Sequence, residues 1–168
     1  NNNDHFGRAV AISGDLAVIS AWEADPRGTN SGAAYVFQRT GTVWSQVAKL
    51  VPADGIADDR FGSAVAISGN TIAVAALAAD LGSLTDAGAV YVFSGSGASW
   101  SQTAKLTEAS AAAYDNFGNS VSLAGDTLLV GFSGADRVAQ HGVAPCAAPG
   151  IELAGPDAPD AVLLPDLA

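Results

Sequence analysis

Short apolar stretches separated by polar turns run through residues 1–133 in a fixed order. In the first of them, Ala9–Ser13, Val10 and Ile12 point to one side and Ala9 and Ala11 to the other. Both sides are apolar, the pattern of a strand covered on both faces. Gly14-Asp15 follows as a two-residue hairpin turn. A second strand is predicted over Leu16–Ser20, then a polar loop containing Asp25-Pro26-Arg27-Gly28-Thr29-Asn30. The third strand carries Tyr35 and Phe37. The fourth alternates Trp44, Gln46, Ala48 and Leu50 against Ser45, Val47 and Lys49. It is the most polar of the four, and Lys49 suits an outer edge that must not pair with other chains.

The same four elements then return. Phe6-Gly7, Phe61-Gly62 and Phe117-Gly118 recur at intervals of 55 and 56 residues, each with an Asp two places earlier: Asp4, Asp59 and Asp115. Ala9–Asp15 matches Ala64–Asn70 and Ser120–Asp126. Leu16–Ser20 has counterparts in Ile72–Ala75 and Thr127–Val130. Gly32–Phe37 matches Gly88–Phe93, with Tyr91 and Phe93 in place of Tyr35 and Phe37. Trp44–Leu50 matches Trp100–Leu106, with Lys105 in place of Lys49. Three collinear blocks at one spacing define a repeat protein.

Small residues dominate the first two strands of each unit, and large aromatics the third and fourth. In a radial array the inner strands are crowded and the outer ones have space to fill. Four strands per unit of this length therefore predict β-propeller blades. The expected fold is all-β, with two complete four-stranded blades and a partial third, in units of about 4–57, 58–113 and 114–133. Such a chain cannot close a ring by itself. It predicts either an excerpt of a propeller of roughly 400 residues or copies that associate.

The Phe-Gly start, the Ser-Gly-Asp hairpin, the Gly-Ala-Ala-Tyr-Val-Phe strand and the Trp-Ser-Gln strand resemble the FG-GAP repeat, the blade of integrin-α-type propellers, and most of all its bacterial forms. The likeness covers about residues 4–132. The Gly-Ala-Pro end is poorly kept, with Ser20-Ala21-Trp22, Ala75-Ala76-Leu77 and Gly131-Phe132-Ser133 in its place. The resemblance implies a non-enzymatic extracellular or cell-surface binding or adhesion module, with a protein or glycan as ligand. The rival expectation is a fragment of a propeller lyase or hydrolase whose catalytic residues lie in other blades. Integrin blades often carry a D-x-D-x-D-G calcium loop between Phe-Gly and Gly-Ala-Pro. Only Gly14-Asp15, Gly69-Asn70 or Gly125-Asp126 stands there, and a two-residue turn cannot wrap a six- to eight-coordinate ion. No calcium ligands are carried over, and no cofactor is expected.

Other candidate chemistry is thin. Asp54-Gly55-Ile56-Ala57-Asp58-Asp59 is the densest acidic cluster. It reads first as a linker turn whose carboxylates take backbone N–H groups, and second as a weak calcium site. The recurrence of Asp4, Asp59 and Asp115 is assigned to a local acceptor before Phe-Gly. His5 and His141 have no partner at metal or triad spacing, so both read as surface or turn residues. No G-x-S-x-G elbow occurs. Gly95-Ser96-Gly97 joins two strands and lacks a following Lys, so it reads as a hairpin and not a phosphate loop. Trp22 stands outside the repeat, against Leu77 and Ser133, and reads as loop packing ahead of a ligand platform. Trp44 and Trp100 recur and are assigned to the blade core. No catalytic, cofactor-binding or metal-binding residue is assigned.

Composition adds limits. Hydrophobic residues make up 49% of the 168, which argues against intrinsic disorder. The net charge of −10 opposes nucleic-acid binding, which needs clustered Lys and Arg. No apolar run approaches the length that spans a bilayer. Cys146 is alone, which excludes an internal disulfide. The absence of Met and of a leader-like start predicts a chain cut from something longer. Residues 134–168 abandon the repeat. Five Pro between Pro145 and Pro165 predict a poorly ordered tail with one short strand around Ala161–Leu164.

Overall fold

The computed structural model describes residues 4–133, 152–153 and 161–164. Every regular element among them is a β-strand. The first sheet contains β1 (Phe6–Ser13), β2 (Leu16–Ala21), β3 (Ala33–Thr40) and β4 (Val43–Leu50), all antiparallel and in chain order. The second repeats it with β5 (Phe61–Ser68), β6 (Thr71–Ala76), β7 (Ala89–Ser96) and β8 (Ser99–Leu106). The third is built on β9 (Ser120–Ala124) and β10 (Thr127–Gly131). Two short strands, β11 (Glu152–Leu153) and β12 (Ala161–Leu164), complete it in the order β11-β12-β10-β9. The predicted strand at Ala161–Leu164 is therefore present. Its sheet position departs from chain order, because β12 and not β11 pairs with β10. Cys146, His141 and the predicted disorder of the tail lie outside the described residues.

The inner strands begin at Phe6 and Phe61, three residues before the apolar alternation does. The register shifts between Phe6 and Val10, and again between Phe61 and Val65, so each strand starts with an irregular step that the alternation does not reveal. Matching bulges fall in the outer pairs, at Val36/Phe37 and Val92/Phe93.

Each blade has one face of large side chains and one of small. Val65, Ile67, Ile72, Val74, Tyr91 and Phe93 pack with Phe61 against Ala34, Val18 and Val36 of the first blade. The opposite face of the second blade, Ala66, Ala73, Ala75, Val90 and Val92, receives Phe117, Leu128 and Val130 of the third. The expectation of an inner strand covered on both sides thus holds for β5. It does not hold for β1, where Val10 and Ile12 are 67% and 66% exposed because nothing described packs on them. Trp44 requires the same correction. It lies on this uncovered face, 39% exposed, beneath the Arg39 guanidinium, while its counterpart Trp100 packs against the core and donates Nε1–H to the Gly97 carbonyl.

Polar stitches repeat with the blades. The Ser13 hydroxyl accepts the Gly69 N–H at 3.1 Å, and Ser68 accepts the Gly125 N–H at 2.9 Å, tying each inner hairpin to the next. At the opposite end, the linker before each Phe-Gly lies along the β2–β3-type loop of the preceding blade. Asp58, Arg60 and Phe61 donate to the carbonyls of Thr29, Asn30 and Ser31, and Tyr114, Asn116 and Phe117 donate to those of Thr85, Asp86 and Ala87.

Candidate functional site

The linkers and the β2–β3 and β6–β7 loops form one end of the molecule, and the candidate residues gather there. The acidic linker is the first group. Its three carboxylates diverge: Asp54 Oδ2 accepts Lys105 Nζ at 2.6 Å, Asp58 Oδ1 accepts Asn30 Nδ2 at 2.9 Å, and Asp59 Oδ2 accepts the Ile56 N–H at 2.8 Å. Asp115 repeats the Asp59 bond with the Ala112 N–H. Asp59 and Asp115 close turns in the local-acceptor role assigned to them above, whereas Asp54 and Asp58 take side-chain donors in place of the expected backbone N–H groups. Among the described residues no group of three or more His, Cys, Asp or Glu is placed to hold a metal ion.

Electrostatics separates the linker aspartates. Burial raises the Asp59 carboxyl above its ordinary value, against the opposing hydrogen bond from Ile56, with the nearby Asp54 and Asp80 charges adding to the rise. For Asp54, burial also favours protonation, but the hydrogen bond and charge of Lys105, with help from Tyr91, outweigh it and hold the carboxyl low. Tyr91 is pushed well up, first by burial and then by the Asp54 charge.

Trp22 is the second group. It follows β2 directly, and two guanidinium groups lie over its ring, Arg8 at 4.7 Å and Arg60 at 5.2 Å from the centroid. Arg8 comes from the start of β1 and Arg60 from the linker into β5. The Trp22 Nε1 is buried and has no acceptor. Beside it, His5 Nδ1 and Glu23 Oε2 are 2.7 Å apart. The reading of Trp22 as loop packing therefore describes half of its role, since the ring is also a seat for two cations. Arg8 and Arg60 escaped the sequence reading. The signal was there: Arg8 replaces Ser63 and Asn119, Arg60 replaces His5 and Asn116, and Trp22 replaces Leu77 and Ser133.

The remaining candidates resolve simply. His5 is exposed, with a backbone φ of 49° shared by its counterparts Arg60 (55°) and Asn116 (52°). Gly95 and Ser96 end β7 and Gly97 turns into β8, which makes the segment a hairpin. Asp15 in the first hairpin is bound by Arg39, through Nε at 2.8 Å and Nη2 at 2.6 Å.

Radially stacked four-stranded antiparallel units with an inner first strand define this as a β-propeller-type repeat protein. The family model of the FG-GAP repeat matches residues 1–37, 44–93 and 100–144, and the chain belongs to that family. The matched units break in the β3–β4 and β7–β8 hairpins, one strand earlier than the sheets do. No curated protein matches the chain.

Proposed function

We propose that the chain is a non-catalytic binding module of an extracellular or cell-surface protein, with the linker-and-loop end of its blades as the contact surface for a protein or glycan. The observation that carries this reading is the clustering of side chains that break the repeat. Positions that build the blades recur, whereas Arg8, Trp22 and Arg60 depart from the repeat, and both guanidinium groups lie over the Trp22 ring at that end. A rigid repeated scaffold with variable residues grouped on its loops is how binding surfaces are commonly presented. Membership of the FG-GAP family supports the extracellular assignment, and no helix of the described residues is long and apolar enough to cross a membrane.

The uncovered face of the first blade belongs to the same proposal. Phe6, Val10 and Ile12 occupy the positions that Phe61, Val65 and Ile67 bury against a preceding blade. A further blade covers this face, from the same polypeptide or from a second copy.

The test is retention on the immobilised chain of a panel of glycans and matrix proteins, with mass spectrometry of whatever is retained. Saturable retention of an unaltered ligand is expected. Turnover of the ligand, or no retention at all, would overturn the reading. Sedimentation checks the blade face, and a persistent monomer at high concentration argues against self-association.

A further inference from the structure

Arg8, Trp22 and Arg60 form a cluster made only of donors, and we propose that it binds a carboxylate of an acidic peptide segment on a partner protein. This rests on the binding-module reading and names the chemistry of its contact. Both guanidinium carbons lie within 5.2 Å of one ring centroid, so the two charges are at most about 10 Å apart. Among the described residues neither guanidinium has a hydrogen bond or an ion pair. Three neighbouring acids are engaged elsewhere, Glu23 with His5, Asp58 with Asn30 Nδ2 and Asp59 with the Ile56 N–H. The Trp22 Nε1–H, buried at the edge of the same ring, is also a donor without an acceptor.

Each guanidinium gains from the ring, but the two like charges repel each other, and an anion beside them relieves that repulsion. The corresponding position in the second blade is Ser63, whose hydroxyl accepts the Leu77 N–H and closes the loop without charge. The first blade replaces that bond with a cation. Guanidinium groups held by an aromatic ring are pre-oriented forks, and a carboxylate accepts two parallel N–H bonds from such a fork. The net charge of −10 selects for a short anionic group over a polyanion. Long-range repulsion works against an extended chain of charges, while a contact pair lies inside the Debye length. The ring already carries two cations and is not a bare platform for stacking a sugar, which favours a peptide over a glycan acid.

The experiment uses the full chain, labelled with ¹⁵N. The Trp22 indole N–H resonance is assigned by its loss in Trp22→Phe and followed during titration. Acetyl-Gly-Glu-Gly-amide and sodium acetate should shift it saturably, and acetyl-Gly-Gln-Gly-amide and acetamide should not. Arg8→Gln and Arg60→Gln should each weaken the peptide about tenfold. Arg8→Lys and Arg60→Lys, which keep charge and lose the fork, should fall between. Arg39→Gln, a remote control, should change nothing. Melting curves establish that each variant is folded. Equal shifts by the neutral and acidic peptides, or unchanged affinity in both Gln variants, would overturn the proposal. Tighter binding of glucuronate than of the peptide would overturn the peptide assignment. If a panel ligand is retained equally by the Arg variants, this inference fails and the binding-module reading stands. If the acidic peptide saturates the site but nothing in the panel is retained, the reverse holds.

Discussion

Asp54, in the linker that leaves the first blade, accepts a 2.6 Å hydrogen bond from Lys105 on the outer edge of the second. The same edge strand supplies Gln102, whose Oε1 accepts the Ala53 N–H at 2.9 Å. Lys105 also lies over the Tyr91 ring at 5.4 Å. The start of the linker is thereby fastened across the outer corner of the next blade. Lys49 sits over Tyr35 in the same way at 5.5 Å in the first blade.

The clasp is half exposed, so its contribution is modest. A double-mutant cycle between Asp54→Asn and Lys105→Ala should give a coupling of about 0.5 kcal/mol, within the range of partly exposed pairs. Its pH dependence has a definite sign. The Asp54 carboxyl is held below its ordinary value in the folded chain, so its contribution is complete above the unfolded value near 4 and fades as pH falls through the lower folded one. Acid titration of stability should show this loss in the wild type and not in Asp54→Asn.

Asp59 should behave in the opposite sense. Burial raises its folded carboxyl, so the native chain takes up this proton more readily than the unfolded chain does. Through this group alone, stability rises as pH falls and declines as the carboxyl ionises. Asp59→Asn keeps an acceptor for the Ile56 N–H and removes the buried charge, so it should match or exceed the wild type at pH 7. Asp59→Ala leaves that N–H without its acceptor and should cost about 1–2 kcal/mol. Urea unfolding of both variants at pH 5 and pH 7 makes the comparison.

Gly32 explains why glycine precedes the third strand. Its φ is +84°, and a Cβ there would overlap the Phe61 backbone where the next blade begins. Gly88 meets Phe117 in the same way. At Gly14 (φ +58°) an added Cβ meets nothing within 4 Å. Gly14→Ala should therefore cost only the conformational term, about 1 kcal/mol. Gly32→Ala should cost several times more by forcing the blades apart, and should lower the melting temperature correspondingly.

Calcium should leave the melting temperature unmoved at millimolar concentration. Asp54, Asp58 and Asp59 each face a different partner, and the hairpins are two-residue turns with Asp15 already bound by Arg39. Stabilisation by a ligand follows its occupancy of the native state, so a large rise would require a site this arrangement does not supply.

The blades were legible because their information is periodic and local. The Gly-Asp and Gly-Asn turns fix the hairpins, and the alternation about Val10 and Val65 fixes which side chains share a face. Burial was not legible, since Trp44 and Trp100 read identically and differ only in whether a blade covers them. The Arg8–Trp22–Arg60 cluster was hidden for another reason. Its members are 14 and 38 residues apart, and only the fold brings the start of β1, the end of β2 and the linker into β5 together.

Phe61 and Phe6 give the strongest test of the stacking itself. They occupy the same place in the repeat, and each meets a Tyr and a Phe of its own third strand. Phe61 lies 5.6 Å from Tyr91 and 6.0 Å from Phe93, and Phe6 lies 5.6 Å from Tyr35 and 6.3 Å from Phe37. What differs is the neighbour. Phe61 is fully buried against the first blade, and Phe6 is 57% exposed. Removing the Phe61 ring leaves a cavity between two blades that cannot close without shifting both, so Phe61→Ala should cost about 3–5 kcal/mol. Phe6→Ala loses ring contacts within one sheet and opens no cavity, so its cost should be about 1 kcal/mol. Equal costs would mean that a blade draws its stability from its own aromatic trio. A threefold or greater difference, measured by denaturant unfolding of the full chain at low concentration, would place that stability in the contact between blades.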